Sequence, residues 1–377
     1  MNKPKIRFKG YTDAWERRKL GEIAEITMGQ SPNGNTYFDF PCGYILVQGN
    51  ADLKDGWVFP RIWTTQKTKI ADAGDLIMSV RAPAGAMGKT AYRVVLGRGV
   101  AGIKGNEFLF QILSKLDADG YWKKLSCGST FESLNSNNIN EASVNVSSSQ
   151  SEQAKIGAFF RGLDELIALH QRKYEKLQKV KKSFLEKMFP TEGESKPRIR
   201  FKGYTDAWER RKLGEIANRR NIVSTKDEKL PRVEYEDINS GAGTLNKNIN
   251  EKESSKIGVY FQKGDILFGK LRPYLKNWLL PNFSGIAVGD FWVLNPNNSN
   301  SGFVYTLIQS SNFQRVANMS TGTKMPRSDW SIVSVSDFAI PSDYSEQAKI
   351  GAFFRGLDEL IALHQRKRKH RKKTNKC

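Results

Sequence analysis

The sequence predicts an α/β (α+β) chain: two similar mixed domains joined by two long antiparallel helices that pair as a coiled coil, giving a pseudo-twofold internal repeat. Three observations carry this. Residues 6–24 (IRFKGYTDAWERRKLGEIA) recur unchanged as 199–217, and residues 151–173 (SEQAKIGAFFRGLDELIALHQRK) recur unchanged as 345–367. Between the copies lie two segments of 126 and 127 residues, 25–150 and 218–344, whose sequences differ throughout. Each 151-type copy opens an apolar seam with steps of four and three, the spacing of one face of a long helix. The expected domains are 1–150, 191–344 and two helical pieces, 151–190 and a shorter 345–377 that ends in a basic tail.

The seam of the first helix runs through Ile156, Phe160, Leu163, Ile167, His170, Tyr174, Leu177, Phe184 and Met188, with one interruption at Lys181. Ser151 and Glu152 supply its start, and Pro190 with Gly193 ends it. A helix over 152–189 is a rod of about 57 Å, which suits a spacer. The second copy repeats the seam at Ile350, Phe354, Leu357, Ile361 and His364, so the two helices are expected to pair. His170 and His364 occupy one repeated seam position and are read as packed polar residues that set register. After residue 367 the second copy departs into RKRKHRKKTNKC. It is therefore expected to fray near His364, leaving the distal half of the first helix unpartnered, as in a truncated or frameshifted chain.

Composition narrows the function. With 39% hydrophobic and 11% aromatic residues the 377-residue chain is a folded protein. Cys42, Cys127 and Cys377 have no metal-ligand spacing, and no stretch suits a membrane span or a secretion signal, so a reducing cytoplasmic setting is expected. The net charge of +21 is unevenly placed: the two variable segments contribute only +1 and +3, and the repeated frame and tail the remainder. A basic frame points to a polyanion, most simply nucleic acid, and near-neutral variable segments suit readout by hydrogen bonds.

Within the first variable segment, strands are expected at 44–48, 75–81, 89–96 and 142–146, and a helix at 106–116. In the second, strands are expected at 232–238, 265–271 and 291–294, and a helix at 302–317. Two echoes, GDLI at 74–77 with GDIL at 264–267 and SCGST at 126–130 with STGTK at 320–324, indicate one fold with two surfaces. Trp57, Trp63, Trp278 and Trp292 are read as core residues rather than stacking platforms.

Several chemistries are excluded or weakened. The run 97–102 (GRGVAG) fits GxGxxG, but no helix is expected to follow it. The chain has no GxxxxGK[ST], and no Asn-Pro-Pro-aromatic or Asp-Pro-Pro-aromatic run for a flipped amino base. Neither variable segment contains a histidine, so no catalytic or metal site is expected. What remains is polar and basic material in turns. The DNA-contact candidates are Arg81, Arg98, Lys104, Ser129, Thr130, Asn135, Asn137 and Asn138 in the first segment. In the second they are Lys270, Arg272, Tyr274, Lys276, Thr323, Lys324, Arg327 and Ser328.

These residues, with KLGEIA at 19–24 and 212–217, RGVAGIKG at 98–105, GSTFESL at 128–134, GDILFGKLRPYLKN at 264–277, GTKMPRSDW at 322–330 and SEQAKIGAFFRGLDELI in both later copies, make the chain resemble the specificity subunit of type I restriction-modification enzymes. The resemblance implies two target recognition domains, each reading one half of a bipartite, asymmetric site in double-stranded DNA, and two helices that set the unread spacer. It implies docking of two methyltransferase (modification) subunits on the helices, with restriction (motor-nuclease) subunits added to them. S-adenosylmethionine, ATP and Mg would be used by those partners, with no cofactor in this chain. The alternatives are a free-standing sequence-specific DNA-binding protein, or an inactive truncated specificity subunit.

Overall fold

The computed structural model describes residues 4–126, 132–224, 229–249, 255–319 and 325–374. The chain divides into two compact units, residues 1–169 with 369–377, and residues 170–368.

In the first unit, six strands lie in the order Ile26–Met28, Val100–Ile103, Leu76–Ser79, Met87–Lys89, Trp57–Val58, Leu53–Lys54. Five more lie in the order Tyr37–Phe38, Ile62–Thr64, Tyr44–Val47, Val94–Leu96, Lys69–Ala71. Strand Leu76–Ser79 is buried along its whole length, so its side chains feed two cores in alternation. Ile77 joins Val47, Val94, Leu96 and Val100, whereas Leu76 and Met78 join Phe110, Leu113 and Trp122 from the helical side. Helix Glu107–Ala118 begins where Asn106 accepts a hydrogen bond from the Leu109 amide.

The run 89–96, expected as one strand, is divided between the end of strand Met87–Lys89 and strand Val94–Leu96. The Thr90 hydroxyl donates to the Tyr92 carbonyl at 2.8 Å and accepts from its amide at 3.1 Å, which folds a turn into the run. Trp57 is 47% exposed with the Lys89 ammonium 4.8 Å from its ring centre, so it is a surface residue, unlike the buried Trp278 and Trp292.

The second unit is built on a four-stranded sheet in the order Ala217–Arg220, Phe291–Pro296, Ile266–Gly269, Trp278–Leu279, with a three-stranded sheet Arg232–Val233, Gly285–Ala287, Val259–Phe261. The strand expected over 232–238 stops at Val233, because the Asp237 carboxylate accepts from the Glu234 amide at 2.8 Å and closes a 3-10 turn, Tyr235–Asp237. The helix expected over 302–317 is two helices, Ser301–Leu307 and Ser311–Ala317. The Ser310 hydroxyl accepts from the Phe313 amide and starts the second.

One joint recurs in both units. Arg7 grips Glu152 through Nε to Oε1 at 2.5 Å and Nη2 to Oε2 at 2.8 Å, and Arg200 grips Glu346 through the same atoms at 2.7 and 2.8 Å. Each carboxylate is buried, at 0% and 1% exposure. The Tyr11 and Tyr204 hydroxyls each lie 2.9 Å from Ser151 and Ser345 Oγ. Strand Glu16–Lys19 pairs with Ser143–Val146, and Glu209–Lys212 with Asp337–Ile340. The two repeated sequence pieces therefore close on each other around each variable segment.

The first long helix spans Gln150–Lys187 and the second Tyr344–Thr374. Within the second unit they run antiparallel: His170 Nδ1 lies 2.8 Å from His364 Nδ1, Lys181 Nζ 2.6 Å from Asp358 Oδ1, and the Phe184 and Phe353 rings are 5.1 Å apart. Ile350, Phe354 and Ile361 are buried, with Leu357 packed against the same core, and Phe354 lies beside Phe189. Ile156, Phe160, Leu163 and Ile167 in the first unit are half-buried. The expected fraying of the second helix near His364 is not seen; lysine and arginine are good helix formers and the helix continues to Thr374. The distal half of the first helix is partnered, because antiparallel pairing sets residues after His170 against residues before His364.

The interruption of the seam at Lys181 has a partner for its charge. Its ammonium also donates to Gln309 Oε1 at 2.7 Å, which ties the helix pair to the short helices beneath. Burial nevertheless holds the Asp358 carboxyl above its ordinary range. Desolvation outweighs the pairing, so this ion pair specifies register more than it stabilises. Replacing Asp358 alone by Ala strands the buried ammonium and is expected to cost about 3 kcal/mol, whereas Lys181→Met with Asp358→Leu is expected near wild type. Urea unfolding of both variants, each compared with wild type, measures the difference.

Protonation links the joint and the helix pair to pH. The Arg7 guanidinium, with Ser147 and Trp15, holds Glu152 below the ordinary carboxylate value of 4.5. Burial, with Lys173 and Lys367 nearby, holds His364 below the ordinary imidazole value of 6.5. In each case the folded state binds fewer protons than the unfolded chain, so stability rises with pH across the window. The His364 contribution is complete above pH 6.5 and lost as pH falls through its lowered folded value; the Glu152 contribution follows below 4.5. Thermal melting between pH 7 and 5 is expected to show a decline that His364→Asn removes; an equal decline in that variant would assign it elsewhere.

Candidate nucleic-acid interface

The two sets of loops that contain most of the candidate residues meet at one corner of each unit, held by the same backbone hydrogen bonds. In the first unit the Val80 amide donates to the Gly99 carbonyl at 2.8 Å, the Leu134 amide donates to the Val80 carbonyl at 2.9 Å, and Arg81 bridges Ser133. In the second unit the Lys270 amide donates to the Asp290 carbonyl at 2.8 Å, the Ser328 amide to the Lys270 carbonyl at 2.8 Å, and Leu271 bridges Arg327. Val80, Arg81, Gly99, Ser133 and Leu134 thus stand where Lys270, Leu271, Asp290, Arg327 and Ser328 stand. The backbone is common and the side chains are not.

Glycines make the first corner by close approach. A Cβ on Gly99 would lie 2.0 Å from the Gln48 carbonyl oxygen, and one on Gly29 would lie 2.0 Å from the Gly97 carbonyl oxygen. The loops around residues 30, 48 and 98 are therefore pressed together main chain to main chain, with the Arg98 amide donating to Ser31 Oγ at 3.2 Å. Gly97 and Gly99 serve this contact rather than a dinucleotide phosphate, and Gly102 packs against the Leu96 and Ala71 side chains.

Arg81 and Arg98 are exposed at this corner, and Asn135 follows Leu134 directly. Asn135 and Asn138 are joined in a capping box, each side chain accepting from the other's amide at 2.8 and 3.0 Å, at the start of helix Ser136–Asn140. Asn137 is exposed in that helix. Lys104 lies at the other end of strand Val100–Ile103, paired with Glu25 at 2.9 Å, and is not brought to the corner. Ser129, Thr130, Thr323 and Lys324 lie outside the described residues.

The second corner is charged. Asp290 Oδ2 accepts from Arg327 Nε at 3.2 Å and Nη2 at 3.0 Å, with Lys270 Nζ 3.6 Å from Oδ1. The half-buried Tyr235 hydroxyl donates to the Asp290 carbonyl at 2.6 Å and accepts from the Leu271 amide at 3.0 Å. Burial drives the Tyr235 phenol far above its ordinary range, so it stays a neutral donor. Arg272 and Lys276 hold left-handed backbone at φ 48° and 57° around the 3-10 turn Pro273–Leu275, which lifts Tyr274 to 53% exposure. Ser328 is 4% exposed and donates to the Ala317 carbonyl at 2.6 Å, so its hydroxyl is occupied inside the fold.

Asp290 and Tyr235 are not among the sequence candidates. Arg98-Gly99-Val100 and Gly289-Asp290-Phe291 share no residue type in register, so no echo marks the pair. The nearest legible signals were the neighbouring GDLI and GDIL runs, which fix the adjacent strands.

A duplicated α/β fold, with one loop corner per copy and a helical frame made of repeated sequence, defines a protein with two variable surfaces on a constant scaffold. Comparison with known proteins gives the family. The family described as "Type I restriction modification DNA specificity domain" matches residues 12–179 and again 205–371, and the chain belongs to it. The chain is 28% identical over 179 residues to the type I restriction enzyme MjaX specificity subunit of Methanocaldococcus jannaschii; the match covers 45% of this chain and 41% of that protein. Its fold resembles the S subunit of a type I restriction-modification system from M. genitalium, with a TM-score of 0.69, 14% identity, and coverage of 99% of this chain and 96% of that one. A chain from a type I R-M system structure on complex assembly and conformational transition matches with a TM-score of 0.52 at 15% identity, covering 99% of this chain and 97% of that one. No helix among the described residues is long and apolar enough to cross a membrane.

Gly99→Val is expected to force the loops at 48 and 98 apart and cost about 2 kcal/mol, the range of overpacked cores. Hydrogen exchange should rise in residues 44–48 and 94–103 while the second unit keeps its protection. Unchanged protection would show that close approach is not what shapes the corner.

Proposed function

We propose that the chain is the DNA sequence-reading subunit of a type I restriction-modification complex and carries no catalysis itself. Each unit reads one half of a bipartite, asymmetric site through its loop corner. The paired helices set the unread spacer and dock two methyltransferase subunits, to which restriction subunits add. S-adenosylmethionine, ATP and Mg belong to those partners.

One observation carries this reading: the same hydrogen-bonded corner presents Arg81, Gly99 and Ser133 in one unit and Leu271, Asp290 and Arg327 in the other. Two surfaces of different chemistry on one backbone suit two different half-sites, and hence a non-palindromic target. The basic frame supports it, since lysine and arginine in the repeated pieces supply sequence-independent attraction to phosphate. The identical repeats also suit two identical partners, with Leu166 and Leu360 at one repeated position exposed at 40% and 46%.

Mapping adenine methylation across a genome, with and without the chain and with its methyltransferase partners present, is expected to reveal one split motif that depends on it. Exchanging residues 25–150 for a different reader should change one half of that motif only; a change in both halves would sink the two-reader scheme. Inserting two heptads after Lys173 should lengthen the unread spacer, and an unaltered spacer would show that the helix is not the ruler.

A further inference from the structure

The second corner contains an arginine already held in one orientation, and among the described residues the first corner has no such device. Both ends of the Asp290–Arg327 pair sit on fixed backbone. The Asp290 carbonyl accepts from the Lys270 amide at 2.8 Å and from the Tyr235 hydroxyl at 2.6 Å, and the Tyr235 ring lies 4.5 Å from that of Phe291. Arg327 is fixed by its bridge to Leu271, whose amide is bound by the same Tyr235 hydroxyl at 3.0 Å. Asp290 Oδ2 then takes the Nε and Nη2 side of the guanidinium at 3.2 and 3.0 Å, while the Arg327 side chain remains 53% exposed.

Stability does not account for the arrangement, because half-exposed ion pairs contribute little to it. Nor does general attraction to DNA, since a carboxylate at the surface works against binding a polyanion unless it serves an arginine. Fixing a guanidinium before binding has one clear use. Its planar fork matches the O6 and N7 acceptors of guanine, and an arginine whose rotamers are already restricted loses less entropy when it binds. Lys270, 3.6 Å from the carboxylate, keeps the three-residue group net positive. The equivalent positions in the first unit, Val80, Gly99 and Ser133, keep the backbone hydrogen bonds and have no charge.

The geometry points to Arg327 as the residue with which the second unit selects guanine at one position of its half-site, and to Asp290 as the positioning residue that orients it. This rests on the DNA-reading function proposed above. It names the pairs 99/290 and 133/327 as positions where the two units acquire different specificities on the same scaffold.

The test uses the full chain assembled with its methyltransferase partners, a randomised double-stranded DNA pool, and sequencing of the bound fraction. Wild type is expected to show a bipartite motif with a G·C pair in the half assigned to the second unit. Arg327→Lys keeps the charge and loses the fork; it should relax that one position by about tenfold or more and leave all others intact. Asp290→Asn should relax the same position several-fold without weakening binding to non-specific DNA, a pattern that a merely structural role would not give. A wild-type motif that survives both substitutions overturns the assignment of Arg327 while leaving the DNA-reading function standing. Loss of the whole half-site instead of one position overturns it as well. A wild-type complex with no sequence preference overturns the DNA-reading function and this inference with it.

Discussion

Everything in this chain depends on a buried arginine–glutamate joint made twice. Arg7 with Glu152 and Arg200 with Glu346 bring together two sequence pieces that lie 145 and 146 residues apart, and each carboxylate is almost wholly removed from water. A carboxylate in that position is tolerable only with its bidentate partner in place, so the two repeated pieces cannot vary independently. The joint closes the base of each unit, and the strand pairs Glu16–Lys19 with Ser143–Val146 and Glu209–Lys212 with Asp337–Ile340 continue it. What lies between the two pieces is then free to change in sequence so long as its ends return to the same place.

That separation explains how one backbone presents two chemistries. The loop corner is specified by main-chain hydrogen bonds and by close approaches such as Gly99 against Gln48, which constrain few side chains. Its exposed positions are left open, and the two units fill them differently: Arg81 and Arg98 with Gly99 and Ser133 in one, a lysine–aspartate–arginine group on a tyrosine support in the other. The helix pair adds polar devices to its apolar contacts. His170 against His364 and Lys181 against Asp358 define which residues face each other, and the ion pair adds little net stability.

The repeats, the charge pattern and the seam were legible in the linear sequence because each is a local or periodic property. Exact recurrence announced a duplicated frame, and steps of four and three announced the long helices. The GDLI and GDIL runs located equivalent strands. The breaks inside the variable segments were not legible: Thr90 and Asp237 turn the chain out of a strand and Ser310 starts a new helix, through side-chain hydrogen bonds that composition does not reveal. Trp57 was misread for a related reason, since hydrophobicity does not say which face of a hairpin meets water.

The sequence by itself determined that there are two units of one design, that a basic constant frame surrounds two near-neutral variable segments, and that long helices belong to the frame. Only the tertiary structure decided which parts of the helices pair, because the antiparallel register is set by contacts nearly two hundred residues apart, such as that between His170 and His364. It also decided that Asp290 and Tyr235 belong to the second corner. Their role arises from strands and loops meeting in space, and nothing in their sequence neighbourhood records that meeting.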